Sequence, residues 1–322
     1  MPAPSYDSVF ISGGAGFIGS HLARRLLARN DTQRVVIFDN FSSGQESHLA
    51  GIRGDMRLTL VRGDLKDKDV VTAAMEGCDV VFHLAANPDI AKAVTQPDID
   101  FWEGTYLAQN VVEAMRVNGV KRILYTSGSG VYGENAEVAF REDYGPCVPI
   151  STYGASKLAC EALIAAYCHM FGMTARAFRF ANVVGPRQTH GVGYDFVRRL
   201  KSDPARLRIL GDGSQSKSYI HVEDVLDAVF LADEICSTKF DVFNVATGDY
   251  ITVKQIADLA CEVCGAGGVR YEFTGGDRGW KGDVPVVRFD SSKIGSLGWI
   301  CNRTSAQAVR DSMAAMLEEI NG

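Results

Sequence analysis

The sequence predicts an α/β protein in which a doubly wound parallel sheet is accompanied by a smaller α+β region. Two observations carry this prediction. Short apolar runs alternate with stretches of helical periodicity through the first half of the 322 residues, as successive βαβ units require. Each run ends in polar or small residues, which is typical of parallel sheets that bind ligands beyond the carboxyl ends of their strands.

The first predicted unit is a strand, a turn crowded with glycine and a helix. An apolar run at 9–11 precedes GGAGFIG at 13–19. These glycines fit G-x-G-x-x-G and its G-x-x-G-x-x-G variant, so the backbone can approach a pyrophosphate at the helix N-terminus. An ordinary strand-to-helix turn is the alternative. The residues expected to bind a dinucleotide here are Gly13, Gly16, Phe17, Ile18 and Gly19.

The second strand, VVIFD, ends at Asp39, about 20 residues beyond the last glycine, where an acid that binds the ribose is expected. A carboxylate bonds ribose hydroxyls but repels a 2′-phosphate. Asn40 and the residues up to Gly44 include no arginine that would hold such a phosphate. The sequence therefore predicts a Rossmann-type sheet that binds NAD rather than NADP.

Four further strands are predicted, at 58–64, 79–86, 120–127 and 173–182. Since their carboxyl ends should ring one pocket, we expect cofactor contacts from several of the residues found there. Asp64 is placed to accept a bond from the adenine amino group, and a merely solvated side chain is the alternative. The residues expected to contact the cofactor are Asn40, Asp64, Leu65, Leu84, Ala85, Ala86 and Ser127.

A Gly/Pro-rich loop after Asn182 interrupts the alternation of strands and helices. It predicts an NAD-binding domain at 1–182 and a substrate-binding domain at 183–322. A helix and a strand within 216–248 are expected to return to the sheet. The first domain is therefore expected to contain segments from both sides of the domain border.

Composition excludes some classes of function. A net charge of −6 without blocks of like charge argues against a nucleic-acid surface. Neither a signal-like start nor a run of about 20 apolar residues is present, so we expect a cytoplasmic protein without a membrane anchor. Eight scattered cysteines, including Cys261 and Cys264 in a helical pattern, predict buried thiols rather than a metal site.

Tyr153 and Lys157 lie four apart in a stretch with helical periodicity, which puts both side chains on one helix face. Tyr250 and Lys254 have the same spacing. Only Tyr153 starts a helix shortly after the fifth strand, so it can reach the nicotinamide end of a cofactor lying across the strand ends. A nearby ammonium favours the phenolate. The sequence predicts Tyr153 as a catalytic base and Lys157 as the residue that activates it.

Several motifs in register resemble the extended short-chain dehydrogenase/reductase family, and within it most closely the UDP-glucose 4-epimerases. They are GGAGFIGSH, HLAA, SGSGVYG, YGASK, ANVVGPR, GDGSQSKSYIHVED and GDRGWKGD. The resemblance implies a tightly held NAD, a nucleotide-diphosphate sugar substrate and a homodimer. It implies that Tyr153 takes the proton from the sugar 4-hydroxyl while C4 loses hydride to NAD.

The same resemblance places Asn182, Lys217 and Arg278 near the nucleotide diphosphate, with a solvated or capping role as the alternative for each. One position departs from the family pattern. The family usually has a catalytic Ser or Thr where this chain has Gly128. The dehydratases and decarboxylases carry acidic residues nearby, and Gly128 to Gly130 include none. We therefore predict an epimerase in which Ser129 supplies the missing hydroxyl. Another NAD-dependent nucleotide-sugar oxidoreductase and a non-catalytic NAD-binding module remain alternatives.

Overall fold

The computed structural model describes residues 5–279 and 282–321. The chain forms two compact units from discontinuous segments. The first comprises 5–131, 152–179 and 229–243, and the second comprises 132–151, 180–228, 244–279 and 282–321. This division differs from the expected domains 1–182 and 183–322, because 132–151 belongs to the second unit and only 229–243 of the later chain belongs to the first. The binding functions assigned to the two domains stay predictions.

The first unit is built on a seven-stranded sheet. The strands are β1 (Ser8–Ser12), β2 (Arg34–Asp39), β3 (Leu58–Arg62), β4 (Val80–His83), β5 (Arg122–Gly128), β6 (Thr174–Phe180) and, later in the chain, β11 (Phe240–Val245). The order across the sheet is β3-β2-β1-β4-β5-β6 followed by Phe240–Val245. β1 to β5 pair in parallel. The predicted Rossmann-type fold is confirmed.

The central strands are apolar because both faces of the sheet are covered. Val9, Phe10 and Ile11 of β1 are fully buried, and so are Val80 and Val81 of β4. The chain order reverses between β1 and β4, which makes their carboxyl ends the switch point where such sheets bind ligands. At that point the Ser12 hydroxyl lies 2.7 Å from His83 Nδ1.

Helices flank this sheet. They are α1 (Phe17–Leu27), α2 (Lys68–Ala74), α3 (Tyr106–Asn118) and α4 (Thr152–Phe171). Buried side chains of α2, α3 and α4 share one core with β1, β2 and β5. A single π-helical turn, Phe101–Thr105, leads directly into α3. Such turns occur frequently at functional sites.

The second unit is a mixed α+β structure with three two-stranded sheets. Its elements in chain order are β7 (Asn182–Val184), α5 (Val192–Ser202), β8 (Arg206–Ile209), β9 (Ser216–Lys217), β10 (Tyr219–His221), β12 (Ile251–Thr252), α7 (Val253–Cys264), β13 (Arg270–Phe273), α8 (Ser292–Ser296) and α9 (Ser305–Asn321). Two further elements, α6 (Val222–Ile235) and β11 (Phe240–Val245), are divided between the two units. A core of side chains from α5, α7 and α9 holds it together. Cys261 and Cys264 lie half-buried on α7 rather than buried as expected.

In the part of the chain that the structure describes, no helix combines the length and the apolar character needed to cross a bilayer.

Candidate active site

The glycine turn between β1 and α1 is tightly packed. Gly13 adopts a φ of 73°, which L-residues other than glycine rarely accept. A Cβ atom there would also lie 2.9 Å from the backbone nitrogen of Ala85, in the loop after β4. A Cβ at Gly19 would collide with the Gly13 carbonyl. These positions require glycine because three backbone segments meet here.

α1 begins at Phe17 after the N-cap residue Gly16, and among the described residues no side chain makes a capping hydrogen bond to this helix end. The first backbone N–H groups of a helix lack partners within that helix, and they carry the positive end of its dipole. An uncapped N-terminus at the switch point is suited to a pyrophosphate. The described geometry is therefore the one that the glycine pattern predicts for a dinucleotide.

Asp39, at the end of β2, is hydrogen-bonded to the backbone of the glycine turn. Its Oδ2 accepts a hydrogen bond from the Ala15 N–H at 2.9 Å, and its Oδ1 accepts one from the Phe41 N–H at 2.8 Å. Burial raises the pKa of this carboxyl, although the two backbone bonds oppose the rise. Each oxygen retains a second lone pair. Asp39 can therefore accept hydrogen bonds from a ribose while holding the turn in place.

The other predicted cofactor residues surround the same strand ends. Asn40 is exposed, and its Oδ1 accepts a bond from the Ser42 N–H. Asp64 caps its own loop by accepting from the Lys66 N–H at 2.9 Å. Leu65 is buried, and its carbonyl accepts from Asn110. Leu84, Ala85 and Ala86 form the partly exposed loop after β4.

Ser127 has a different environment from the one expected. Its hydroxyl donates to Glu161 Oε1 at 2.5 Å, and Glu161 forms a bidentate ion pair with Arg179 of β6. All three side chains are at least 94% buried. The hydroxyl of Ser127 is therefore committed to this network, and a cofactor contact would have to come from its backbone.

Tyr153 and Lys157 lie on one face of α4, as their spacing requires. The Lys157 ammonium donates to the Thr126 carbonyl of β5 at 2.7 Å, and it lies 5.5 Å from the centroid of the Tyr153 ring. Lys157 is 5% exposed, whereas Tyr153 is half-buried. The phenol of Tyr153 makes no hydrogen bond to any residue that the structure describes. This arrangement holds a cation next to a phenol that is free to meet a substrate.

The end of β5 is open at Gly128. A Cβ atom built there would meet no described atom within 4 Å. Ser129 begins a short 3₁₀ turn, Ser129–Tyr132, and its half-exposed side chain has no hydrogen bond within the described residues. A Cβ at Gly130 would lie 3.3 Å from the Cα of Gly154, which follows Tyr153. The turn that carries Ser129 thus packs on the first turn of α4.

The three residues predicted to bind the diphosphate all belong to the second unit. Asn182 is exposed and bonds to the Ser218 carbonyl. The Lys217 ammonium donates to the buried carboxylate of Asp283. Arg278 donates to the Asp283 carbonyl at 2.7 Å, and its Nη2 donates to both carboxylate oxygens of Glu134 at 2.7 and 2.9 Å. Asp283 therefore connects Lys217 and Arg278. Trp280 and Lys281 of the GDRGWKGD motif lie outside the described residues.

The second tyrosine–lysine pair is arranged differently. The Tyr250 hydroxyl bonds to the backbone of Phe289, accepting from its N–H at 3.0 Å. Lys254 pairs with Asp258 on α7 at 2.9 Å. The two side chains have separate partners, so the equal spacing does not create a second site of the same kind.

The match to known families agrees with this geometry. The model of the NAD dependent epimerase/dehydratase family matches residues 9–246, which is most of the chain. The chain belongs to this family. A putative UDP-glucose 4-epimerase of Methanocaldococcus jannaschii is 30% identical over 297 residues, covering 90% of this chain and 92% of that protein.

Two solved structures show the same likeness. A UDP-galactose 4-epimerase is 36% identical, with a TM-score of 0.86 over 97% of this chain and 99% of that chain. DesIV, a dTDP-glucose 4,6-dehydratase from Streptomyces venezuelae solved with NAD and TYD bound, is 25% identical with a TM-score of 0.88 over 98% of each chain. Both reactions occur among these relatives, so the reaction of this family member has to be argued from its own site.

Family membership confirms the resemblance to extended short-chain dehydrogenases and the choice of NAD. The residues present fit this cofactor. The glycine turn leaves an uncapped helix N-terminus, and Asp39 presents a carboxylate next to it. The roles of individual residues toward NAD stay predictions.

Proposed function

We propose that this protein is a nucleotide-sugar 4-epimerase of the UDP-hexose type. The observation that carries the proposal is the environment of Tyr153. Lys157 is fixed beside its ring, and the adjoining turn at Gly128 to Gly130 presents no carboxylate. A 4,6-elimination needs an acid and a base in addition to the C4 oxidation, whereas 4-epimerisation needs one group that takes a proton and returns it.

In the proposed mechanism Tyr153 accepts the proton of the sugar 4-hydroxyl. The nearby Lys157 ammonium stabilises the phenolate that precedes this transfer. When bound, NAD supplies the acceptance and the return of a hydride at C4. The 4-keto sugar then rotates in the site and presents its other face to the returning hydride. Tyr153 gives its proton back to O4, so the enzyme ends each cycle in its starting protonation state.

Ser129 is proposed to hold O4 during the transfer, in place of the hydroxyl absent at Gly128. Support comes from its half-exposed side chain, which has no hydrogen bond within the described part of the chain, and from the packing of its turn against Gly154. Lys217 and Arg278 are proposed to bind the diphosphate, with Asn182 accompanying them. Lys217 pairs with the Asp283 carboxylate and Arg278 donates to the Asp283 carbonyl, so both cations lie at one residue, and Arg pairs well with phosphate.

A second candidate is a nucleotide-sugar dehydratase. The TM-score of 0.88 to DesIV favours it, and the missing carboxylates at Gly128 to Gly130 weigh against it.

The resemblance also leads us to propose a cytoplasmic homodimer. None of the eight cysteines, all of which the structure describes, forms a disulfide bond, as expected of a protein in a reducing compartment. Light scattering on the purified protein would test the dimer.

The function is tested by incubating the purified protein with UDP-glucose, UDP-N-acetylglucosamine and UDP-glucuronate and following the products by NMR. A C4 epimer formed by the wild type and not by Tyr153→Phe supports the proposal. A 4-keto-6-deoxy product supports the second candidate, whereas a decarboxylated product indicates another NAD-dependent nucleotide-sugar oxidoreductase. Bound NAD that no nucleotide sugar reduces would indicate a non-catalytic NAD-binding module.

A further inference from the structure

A buried carboxylate, Asp100, connects the loop after β4 with the first residue of α4. Asp100 is 2% exposed and lies just before the π-helical turn Phe101–Thr105. Its Oδ2 accepts from the Thr152 hydroxyl at 2.6 Å, and its Oδ1 accepts from the Asn87 amide at 2.9 Å. Thr152 is the first residue of α4 and precedes Tyr153.

Asn87 links Asp100 to the loop after β4, which is predicted to contact the cofactor. Its side chain bonds to both backbone groups of Asp89, accepting from the N–H at 3.0 Å and donating to the carbonyl at 2.9 Å. These bonds close the loop that follows Ala86. The same loop touches the glycine turn, because Ala85 lies against Gly13. A continuous series of contacts therefore runs from the glycine turn to the first residue of α4.

The π-helical turn holds α4 a second time, one turn further along. The Thr105 hydroxyl lies 3.0 Å from the Ser156 hydroxyl, and Gly104 packs so closely on Ser156 that a Cβ atom would collide with its oxygen. Ser156 lies between Tyr153 and Lys157 in the sequence. Both fastenings thus act on the segment of α4 that carries the proposed base.

The chemistry of Asp100 explains why a carboxylate is used here. Burying a charge is costly unless hydrogen bonds compensate, and no cation lies within ion-pair distance of Asp100 among the residues described. A hydroxyl and an amide N–H both point at this side chain. The two oxygens of a carboxylate accept from both at once, whereas a leucine of similar size would accept from neither.

We propose that Asp100 is a positioning residue that locks the Tyr153 turn of α4 to the loop Leu84–Asn87. The lock keeps the base aligned with the loop that is expected to hold the cofactor. The kinetic part of this inference rests on the proposed function, because it takes Tyr153 to be the base. The mechanical part, that the loop and the helix turn are coupled, does not.

Matched variants test it in the holoenzyme. Thr152→Val replaces the hydroxyl of this exposed residue with a methyl group of similar size, so it removes the donor to Asp100. Thr152→Ser keeps the donor. Asp98→Asn is the control on the same segment, since the side chain of exposed Asp98 bonds only to Trp102 within the described residues. Small misplacements of a catalytic group can cost about 10²-fold in rate. We expect Thr152→Val and Asp100→Leu, which removes both acceptor oxygens, to lower kcat at least about tenfold while KM changes less than about twofold.

Thr152→Ser should restore kcat, and Asp98→Asn should match the wild type. The double variant Asp100→Leu with Thr152→Val should be no slower than the slower single variant, because both changes break one connection. A loss of melting temperature without the loss of kcat, or an equal loss in Thr152→Ser, would overturn the inference and leave Asp100 a stabilising residue only.

Hydrogen exchange separates this inference from the proposed function. Removing the Thr152 hydroxyl should speed amide exchange in peptides spanning 84–89 as well as 152–163, because the loop loses its tie to the helix. Exchange that rises only at 152–163 contradicts the coupling, whatever sugar the enzyme turns over. If the wild type epimerises no nucleotide sugar and exchange still rises in both segments, the proposed function fails and the coupling stands.

Discussion

The Lys157 ammonium lies 5.5 Å from the centroid of the Tyr153 ring while it donates to the Thr126 carbonyl at the end of β5. The lysine is therefore held by the sheet and not only by its own helix. This hydrogen bond fixes the charge of Lys157 beside the Tyr153 ring. This relationship makes the tyrosine the natural first target for mutation.

Tyr153→Phe should abolish turnover, since it removes the proton acceptor and keeps the ring. NAD content and melting temperature should stay near those of the wild type, because the phenol has no hydrogen bond to lose within the described structure. Product NMR, cofactor assay of denatured protein and thermal melts measure the three properties. Tyr250→Phe is the control. It should cost about 1 kcal/mol of stability through the lost bond to Phe289 and little activity, and an inactive Tyr250 variant would show that the wrong tyrosine was chosen.

Ser129→Ala should lower kcat by about 10²-fold with less effect on KM, which marks an interaction made mainly in the transition state. Ser127→Ala should lose less turnover, and its main effect should be on stability, because its hydroxyl serves Glu161. Gly128→Ser puts a hydroxyl where the family usually has one. The position has room for a side chain, because a Cβ atom built there meets no described atom within 4 Å. It should fold normally and restore turnover to Ser129→Ala. Wild-type kcat in Ser129→Ala would refute the role of this serine.

The purified protein should carry NAD and not NADP, because the carboxylate of Asp39 lies at the glycine turn and repels a 2′-phosphate. Denaturing the protein and assaying the supernatant for both cofactors measures this. Asp39→Asn should lose much of the NAD content. Recovery of NADP from the wild type would mean that Asp39 is not the residue that meets the ribose.

Arg278→Met should raise the KM for the nucleotide sugar by about tenfold or more, since a charge-assisted bond to phosphate contributes about 1.5–3 kcal/mol. Glu134→Gln should lower KM, because Glu134 competes with the diphosphate for the guanidinium. Lys254→Met removes a paired cation of the same unit outside the predicted set and should leave KM unchanged. A rise of KM in Glu134→Gln would show that the Glu134–Arg278 pair shapes the site instead of competing for it.

His83 should make the protein less stable in acid. Burial, aided by the charge of Lys157, lowers the pKa of this imidazole to about 3. The unfolded chain therefore binds a proton below about pH 6.5 that the folded protein excludes, and stability falls with each pH unit from there toward pH 3 by about 1.4 kcal/mol. Relative to His83→Gln, the wild type should lose about 1 kcal/mol of stability between pH 6.5 and 5.5, as measured by urea unfolding, because the unfolded imidazole is already half protonated at pH 6.5. The exposed His169→Gln should show no such change, and a constant difference for His83→Gln would contradict the assignment.

Local patterns determined much of this protein. The glycine turn, the acid at the end of β2 and the i, i+4 pair Tyr153 and Lys157 were read from neighbours in the sequence, because each depends on backbone geometry over a few residues. The alternation of strands and helices predicted the parallel sheet for the same reason. The predicted strand at 79–86 proved shorter, since β4 ends at His83 and the next residues turn toward Gly13.

Contacts between distant residues were decided only by the tertiary structure. Ser127 was expected at the cofactor, yet its hydroxyl bonds to Glu161, 34 positions away. The sequence did not single out Asp100, although it joins Asn87 to Thr152 across 13 and 52 positions. The segment 132–151 joined the second unit, not the first. Strand and helix periodicity state which face of an element is buried, but which side chain meets which across the core depends on how the elements pack.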